Sequence, residues 1–409
     1  MNRRTMGVVV TGVGVVAAGA RGVAEFAEAL ERGVMPSSDV DRSAGYHLPG
    51  SSRSAVLSAG LDLSPWLPGA AARRMSVPSR LAVAAARMAV DDAGIGAAIA
   101  GARAAVFMSG AFGAVSITEQ ILRALHTDGP EAISPFSFTE SVANVAAAQI
   151  AIAHQIHGTN ATLSQREAGT LTVVGRAAAE IASGRADCAL VGAVEEIPPV
   201  LHALLGRLDV LATAGADGQE VARPFDRHRN GFIAGEGAVV LVLESTAVAR
   251  QRNASVRASL LGFGTAFDPT ASRLSWGRGH VALGASLRKT MERAGLEAGE
   301  VGRIVSGASG SIAGDRLEAH TLREAWSNES LPPILAPKAI VGEYGGAFLA
   351  AAILAASMTH APAIAGFIEP DPALDIVPHG GGALESTDVT LVSSVASGGA
   401  ASWLLLGAA

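Results

Sequence analysis

Residues 158–169 read Gly-Thr-Asn-Ala-Thr-Leu-Ser-Gln-Arg-Glu-Ala-Gly, and an alanine-rich segment that runs to about Ser183 follows them. The pattern predicts a strand that passes through a short turn into a helix. Such a turn presents one side chain to the helix N-terminus, where unpaired backbone N–H groups and the positive end of the helix dipole favour an anion. Glu167 occupies the tip of this turn. The stretch therefore resembles a nucleophile site in which a carboxylate stands where the nucleophile is expected.

The composition indicates a globular chain with a large core. Its 409 residues are 49% hydrophobic, which allows two or three domains. The formal charge of −6 provides no basic field for nucleic acid or an anionic membrane. The only cysteine, Cys188, excludes an intramolecular disulfide and fits a reducing compartment, so we expect a cytoplasmic protein.

Two segments imitate membrane signals. Arg3 and Arg4 precede the apolar stretch Gly7–Ala20, but its valines alternating with glycines predict a buried first strand better than a signal peptide. Residues Gly345–Ile368 contain no Asp, Glu, Lys or Arg, yet His360, Pro362 and many small residues favour a buried helix that ends near Met358, followed by a strand. We therefore expect no membrane span.

Predicted strands and helices alternate along the chain, with a weak internal duplication. Cys-Ala-Leu-Val-Gly-Ala-Val at 188–194 is similar to Val-Thr-Leu-Val-Ser-Ser-Val at 389–395, and each follows an alanine-rich helix that opens at a Gly/Glu turn, near Glu167 and Glu343. Two packed βα halves would explain this repeat. Residues 134–141 are predicted to be a loop, and residues 206–230 a long surface loop.

A specific resemblance comes from residues 223–238, Arg-Pro-Phe-Asp-Arg-His-Arg-Asn-Gly-Phe-Ile-Ala-Gly-Glu-Gly-Ala. This run is similar to the P-F-D-x-x-R-x-G-F-x-x-G-E-G-A motif of the β-ketoacyl-acyl carrier protein synthases in the thiolase-like superfamily. Further matches in the same order span the chain, at Arg73-Arg74-Met75, Ser134-Pro135-Phe136, Gly314-Asp315 with Glu318, Lys338 with Gly342, and Gly398-Gly399. The resemblance implies an α/β fold, a thiolase-like duplicated αβαβα five-layer sandwich that dimerises, with halves at 1–250 and 251–409.

The family's active site holds a cysteine that takes the acyl chain and two histidines that assist decarboxylation and stabilise the enolate. Alignment by motif places Glu167 at the cysteine, Gly307 at the first histidine and Glu343 at the second. A carboxylate that attacked a thioester would form a mixed anhydride, which is uphill, and glycine offers no donor. We therefore expect no catalytic residue at these degenerate positions.

This pattern is similar to that of the chain-length factors, the β subunits of type II polyketide synthases, which carry glutamine followed by Ala-Gly at the turn. Here Ala168-Gly169 matches, and Glu167 replaces the glutamine. The resemblance implies a heterodimer with a catalytic ketosynthase α subunit and contact with an acyl carrier protein through that complex. It also implies a channel for the growing chain, lined by a helix that begins near Phe112, with Ala114, Ile117 and Ile121 on one face. Core packing of that helix is an equally good interpretation.

The main alternative is a diverged stand-alone ketosynthase or malonyl decarboxylase that uses Glu167 and Glu343, since two carboxylates in one site can divide acid and base roles. Whether the chain is itself an enzyme is thus open at this point. Lys338, Glu318 and Asp315 are predicted to be structural remnants of the site, with Lys338 and Glu318 as a pair. The ten scattered histidines predict no metal site, and no motif indicates a cofactor.

Overall fold

The computed structural model describes residues 6–409 except 68, 97, 102, 216–217, 328 and 365. Its strands are β1 (Val8–Ala17), β2 (Ala20–Arg21), β3 (Ser38–Asp39), β4 (Ser54–Val56), β5 (Ala104–Ser109), β6 (Asn160–Leu163), β7 (Cys188–Glu195), β8 (Ala234–Gly235), β9 (Gly237–Ser245), β10 (Ala258–Phe267), β11 (Arg303–Ser306), β12 (Ile334–Leu335), β13 (His360–Ala361), β14 (Gly382–Ala383), β15 (Val389–Val395) and β16 (Ala400–Gly407).

The α-helices are α1 (Gly22–Arg32), α2 (Gly69–Ala72), α3 (Val77–Ala93), α4 (Ala98–Gly101), α5 (Val115–Thr127), α6 (Pro135–Glu140), α7 (Val145–His154), α8 (Gly169–Ala182), α9 (Pro199–Arg207), α10 (Thr246–Gln251), α11 (His280–Arg293), α12 (Ile312–Trp326), α13 (Lys338–Val341) and α14 (Ala347–Ala355). Short 3₁₀ turns lie at Ser64–Trp66, Pro130–Ala132, Arg166–Ala168 and Ala298–Glu300.

The strand order shows a duplication. The main sheet runs β12-β11-β15-β16-β10-β1-β9-β7-β5-β6, so each half has the same order of five strands. The pairings also correspond: β5 is parallel to β6 and β7, as β11 is to β12 and β15, and the remaining pairs in each half are antiparallel. Strands β7 and β15 occupy equivalent places. The repeat predicted from residues 188–194 and 389–395 is therefore confirmed.

Helices pack on both faces of the strands in each half, and this packing gives five layers. Alternate residues of β5, β7 and β9 pack on α3 and α7 on one side and on α8 on the other. In the second half, β15 and β16 pack on α11 and α12 outside and contribute to the same central core inside. Helices α8 and α14 form the central layer. The predicted duplicated αβαβα sandwich is confirmed, whereas the boundary between residues 250 and 251 stays a prediction.

Small residues allow the central layer to approach the sheets. A Cβ at Gly175 of α8 would lie 2.2 Å from the ring of Phe263 in β10, and within the sheet one at Gly192 of β7 would lie 1.7 Å from the carbonyl oxygen of Val239 in the neighbouring β9. Neither position can accept a side chain without displacing its neighbour. The glycine- and alanine-rich composition is thus required by the close packing of layers.

Three sequence predictions are corrected by the structure. Residues Pro135–Glu140, predicted as a loop, form α6, because Pro135 suits the first helical turn. The described residues between α9 and Asn230 form loops and turns that are only partly exposed, since Phe225 and Asp226 are fully buried. Helix α5 begins at Val115 rather than near Phe112, so Phe112 lies in the preceding loop and Ala114 at the cap.

The two segments that imitate membrane signals have local explanations. Residues Val8–Ala17 form β1, buried along its whole length, and Ala347–Ala355 form the buried helix α14, followed by β13. Arg3 and Arg4 lie outside the described residues. Among the residues that are described, none of the helices combines the length and hydrophobicity needed to cross a bilayer.

Candidate functional site: a closed pocket at the β6–α8 turn

The turn predicted around Glu167 joins β6 to α8. Strand β6 ends at Leu163, a single 3₁₀ turn spans Arg166–Ala168, and α8 starts at Gly169. Arg166 has a left-handed backbone with φ of 46°, a conformation that non-glycine residues adopt at a small energetic cost. A Cβ at Gly169 would lie 2.3 Å from Ser109 Oγ, so this position requires glycine. The turn therefore places Glu167 at the start of the central helix, facing the end of β5.

Hydroxyl and backbone groups, not a cation, contact the Glu167 carboxylate. Tyr344 Oη donates to Oε1 at 3.3 Å, and the Ser397 backbone N–H and hydroxyl donate at 3.1 Å. The neighbouring Arg166 donates to Ser397 Oγ at 2.9 Å. Burial, with a further contribution from the charge of Glu343, raises the pKa of Glu167 to about 7 against the opposing effect of Lys338. Glu167 is thus poised to hold a proton near neutral pH.

Lys338 and Glu343 form a buried ion pair. Lys338 Nζ lies 2.6 Å from Glu343 Oε1, both side chains are at most 3% exposed, and the ammonium lies 5.0 Å from the centroid of the Phe348 ring. The direct contact of Lys338 is thus with Glu343, which holds the position aligned with the second histidine. Burial raises the pKa of Glu318 and the charge of Lys338 opposes that shift, so Lys338 and its predicted partner Glu318 also interact electrostatically. Each charge is therefore compensated within the protein.

The position of the first histidine is filled. A Cβ at Gly307 would lie 2.9 Å from the backbone oxygen of Ser393 and 2.9 Å from Ser394 Oγ, both in β15. The Gly307 N–H donates to Glu318 Oε1 at 3.1 Å, and Ser306 Oγ donates to the same atom at 2.8 Å. Burial raises the pKa of Glu318 to about 7. A larger residue at 307 would have to move the backbone of β15.

Asp315 holds the loop after Gly307 against the 223–238 segment. Its carboxylate accepts the backbone N–H groups of Phe225 at 2.9 Å, Ser309 at 3.1 Å and Gly310 at 3.2 Å. Burial raises the pKa of Asp315 to about 6. The contacts made by Asp315 and Glu318 are those of structural groups, in line with their predicted role.

The structure brings Glu167, Glu343 and Lys338 to one pocket, with Glu195 and Tyr344 also in its wall. Gly307 lies outside this lining, against β15. The cavity among these side chains has a volume of about 30 Å³, which corresponds to roughly one water molecule.

Sequence reasoning missed Tyr344 and Glu195 in the wall of this pocket, and Ser397 as a hydrogen-bond donor to Glu167. Tyr344 directly follows the recognised position Glu343, and Ser397 directly precedes the recognised pair Gly398-Gly399. Glu195 directly follows the segment 188–194 in the sequence. The direction in which its side chain points depends on contacts with the loop after β5, and local sequence does not give those contacts. Burial raises the pKa of Glu195 to about 8, against hydrogen bonds from the Ala111 and Phe112 amides.

The predicted channel residues lie beside the pocket rather than in it. The ring of Phe112 packs edge-on against that of Tyr344, with centroids 4.9 Å apart. Ala114 is buried, while Ile117 and Ile121 are half-buried on α5. Helix α5 has no fully buried side chain, so the interpretation that this helix is packed into the core of its own chain is not favoured.

Two other sequence candidates have structural explanations. Cys188 is buried at the start of β7, and burial raises the pKa of its thiol to about 12, so it is an unreactive core residue. Within the described ranges, no group of three or more His, Cys, Asp or Glu side chains has an arrangement that could hold a metal ion.

Comparison with known proteins assigns the family. The model of the β-ketoacyl synthase N-terminal domain matches residues 5–249, and that of the β-ketoacyl synthase C-terminal domain matches residues 258–366. The 3-oxoacyl-[acyl-carrier-protein] synthase 2 of Vibrio cholerae is 28% identical over 362 residues, covering 85% of this chain and 86% of the relative. Granaticin polyketide putative beta-ketoacyl synthase 2 of Streptomyces violaceoruber is 30% identical over 358 residues, covering 85% and 83%.

Among solved structures, the ishigamide ketosynthase/chain length factor superposes with a TM-score of 0.87 at 28% identity, over 100% of both chains. The fold, the 223–238 segment and the position of the Glu167 turn agree with this likeness. The chain belongs to the β-ketoacyl synthase family and has its thiolase-like fold.

Proposed function

We propose that the chain is a non-condensing chain-length factor. It pairs with a catalytic β-ketoacyl synthase and shapes the cavity that holds the growing polyketide or polyene chain in type II polyketide biosynthesis. The observation that carries the proposal is the pocket at the β6–α8 turn, in which Glu167 stands in place of the nucleophile and Glu343 is paired with Lys338. The condensation, an acyl transfer with carbon–carbon bond formation, is then performed by the cysteine and histidines of the partner.

The changes at the three catalytic positions support this proposal together. Glu167 lacks a thiolate's ability to form a stable acyl intermediate, Gly307 has no room for an imidazole, and Glu343 neutralises Lys338. Restoring any one group would leave the other two absent. The likeness to the ishigamide ketosynthase/chain length factor adds support, because it extends along the whole chain.

An exposed apolar face supports a protein partner. Strand β6 is the last strand of the main sheet on its side, so its outer edge is available for pairing. Helix α7 packs on β5 and β6, and Ile152 on this helix is 70% exposed. Further exposed apolar side chains lie on α5 and α6, namely Leu122, Leu125, Phe136 and Phe138. We propose that this face receives the ketosynthase and that the pair contacts the acyl carrier protein.

In such a pair, α5 would bring its half-buried face, Ile117 and Ile121, to the boundary between the subunits. We propose that Ala114, Ile117 and Ile121, with Phe112 at the base, line the channel for the chain. Enlarging the short Ala114 side chain to Phe, or trimming Ile117 to Ala, should then shorten or lengthen the product. Unchanged product length would leave the chain as a scaffold that only stabilises its partner.

Co-expression with a cognate ketosynthase tests the pairing. We expect a heterodimer that condenses malonyl units on the carrier protein, whereas a stable monomer or homodimer that ignores the ketosynthase would refute the proposal. In that pair Glu167→Ala should leave condensation largely intact. A loss beyond about a hundredfold without loss of assembly would show chemistry at this residue.

The rival function is a stand-alone ketosynthase or malonyl decarboxylase. The observation in its favour is the raised pKa of Glu167, about 7, which suits a general acid. The purified chain alone with malonyl-carrier protein decides between the two. Release of carbon dioxide that is abolished in Glu167→Gln would favour the rival, and no release supports the non-condensing role.

A further inference from the structure

We infer that Glu195 and Glu196 are positioning residues that fix the N-terminal end of helix α5 and thereby set the length of the chain channel. The effect on channel length rests on the proposed function. The effect on α5 does not, and it can be measured on the chain alone.

Glu195 holds the loop that connects β5 to α5. It lies at the end of β7, 2% exposed, and its Oε2 accepts the backbone N–H of Ala111 at 2.6 Å and that of Phe112 at 3.1 Å. Two N–H groups that could not pair within a helix or sheet are thereby satisfied. The loop is fixed by one side chain that belongs to the neighbouring strand.

Glu196 holds the helix itself. It is also 2% exposed, and its two oxygens accept the Ser116 N–H at 2.7 Å and the Ser116 hydroxyl at 2.9 Å. Ser116 lies in the first turn of α5, where backbone N–H groups lack partners within the helix, and the residue at the cap, Ala114, offers no side-chain acceptor. Glu196 therefore acts as the cap that the local sequence lacks.

The rest of α5 is held by contacts at the surface. None of its side chains is fully buried, and Leu122 and Leu125 are 59% and 44% exposed. Tyr46 Oη donates to Glu119, and the Arg123 guanidinium lies 5.6 Å from the centroid of the Tyr46 ring. A helix without a buried face gains little from the hydrophobic effect in its own chain. The two adjacent glutamates thus supply the buried anchor of α5 and contribute to where Ile117 and Ile121 lie.

A third contact connects the loop that Glu195 holds to the pocket around Glu167. The ring of Phe112, whose N–H is bound by Glu195, packs on the ring of Tyr344, and Tyr344 Oη donates to Glu167. Tyr344 also has a left-handed backbone, with φ of 74°. Tyr344, which contacts Glu167, thus also packs against the loop that precedes α5.

Hydrogen exchange of the full-length chain, alone and in the co-expressed pair, tests the inference. In Glu195→Ala the Ala111 and Phe112 amides should exchange about tenfold faster or more, and in Glu196→Ala the same should hold for the Ser116 amide and the first turn of α5. Glu196→Gln keeps a carbonyl acceptor and should restore protection. The matched control is Glu220→Ala, because Glu220 likewise accepts backbone N–H groups, those of Arg53 and Ser54, but in another segment.

Product lengths from the pair complete the test. Faster exchange in α5 together with products that spread to neighbouring lengths, both reversed in Glu196→Gln, supports the inference. Unchanged exchange in both alanine variants overturns it. Faster exchange with unchanged product length confirms the anchor and instead counts against the channel role of α5. If Glu196→Ala does not fold, Glu195→Ala still tests the anchor, and unchanged exchange of the Ala111 and Phe112 amides in that variant overturns the inference.

Discussion

Replacing Glu167 with glutamine should change how the stability of the chain depends on pH. The pKa of Glu167 is raised from an ordinary 4.5 to about 7, because burial and the charge of Glu343 disfavour its ionised form. The difference corresponds to about 3 kcal/mol, since one pKa unit is about 1.4 kcal/mol. Glutamine has the same shape, keeps a carbonyl oxygen to accept from Tyr344 and Ser397, and cannot ionise.

The sign follows from proton linkage. Between pH 4.5 and 7 the folded chain holds the Glu167 proton more tightly than the unfolded chain does, so the free energy of unfolding falls as pH rises. The stability contributed by this group is fully present below pH 4.5 and is lost as pH rises through 7. Relative to Glu167→Gln, the wild type should therefore lose up to about 3 kcal/mol between about pH 4.5 and 8. Coupling to Glu343 makes this an upper bound.

Urea unfolding at a series of pH values measures this difference. Other buried carboxyls, such as Glu195 and Glu318, titrate in both proteins and cancel when the two curves are subtracted. The exposed Glu28 provides the control, because Glu28→Gln should run parallel to the wild type. Infrared spectroscopy offers a direct readout: the protonated carboxyl absorption at about pH 6 should lose the contribution of Glu167 in Glu167→Gln, while the contributions of Glu195 and Glu318 stay. Parallel stability curves for the wild type and Glu167→Gln would refute the reasoning.

Three further outcomes follow from the geometry of the pocket and of the exposed face. The triple variant Glu167→Cys, Gly307→His, Glu343→His restores the family's catalytic groups but should give no measurable condensation by the chain alone. The reason is that a Cβ at 307 meets the Ser393 backbone oxygen at 2.9 Å. Carbon–carbon bond formation with malonyl-carrier protein would contradict this expectation. Lys338→Met should destabilise the chain by about 3–5 kcal/mol, since it leaves Glu343 buried and unpaired, and adding Glu343→Gln should recover most of that loss in thermal or urea unfolding. Ile152→Glu, which places a charge at a side chain 70% exposed on α7, should weaken the heterodimer at least tenfold in analytical ultracentrifugation without changing the fold by circular dichroism; undiminished affinity would move the interface elsewhere.

The architecture was predictable because it is repeated and strongly patterned. The repeated segments 188–194 and 389–395 fall on β7 (Cys188–Glu195) and β15 (Val389–Val395), since buried strands of small and branched residues have sharp compositional limits. The turn at Glu167 was predictable for the same reason, because a strand and an alanine-rich helix flank it. Helix α6 was not, because Ser134-Pro135-Phe136 is as typical of a turn as of a helix start.

Contacts between distant segments were beyond the reach of local patterns. Ser397 reaches Glu167 across 230 positions of sequence, and Gly307 meets β15 because β11, which ends at Ser306, pairs in parallel with β15. Composition likewise indicated polar, exposed chain at 206–230, whereas the buried Asp226 accepts the backbone N–H groups of His228 and Glu369. A buried polar residue with its partners on another loop has no signature in a single window of sequence.

The buried charge of Lys338 explains why the pocket contains Glu343. An ammonium that is 2% exposed requires a nearby negative charge, and the position of the second histidine is the one that Glu343 fills at 2.6 Å. Glu167 does not serve that purpose, because its own ionisation is disfavoured by the same Glu343 and its contacts are to hydroxyl and N–H groups. Glu343 is therefore the counter-ion of Lys338, whereas Glu167 is a hydrogen-bonded carboxyl that fills space. The two glutamates do not have matching acid and base roles. For this reason Glu343→Ala should lower the free energy of unfolding more than Glu167→Ala does. That order supports a packed remnant of the site, and the reverse order would favour a working site.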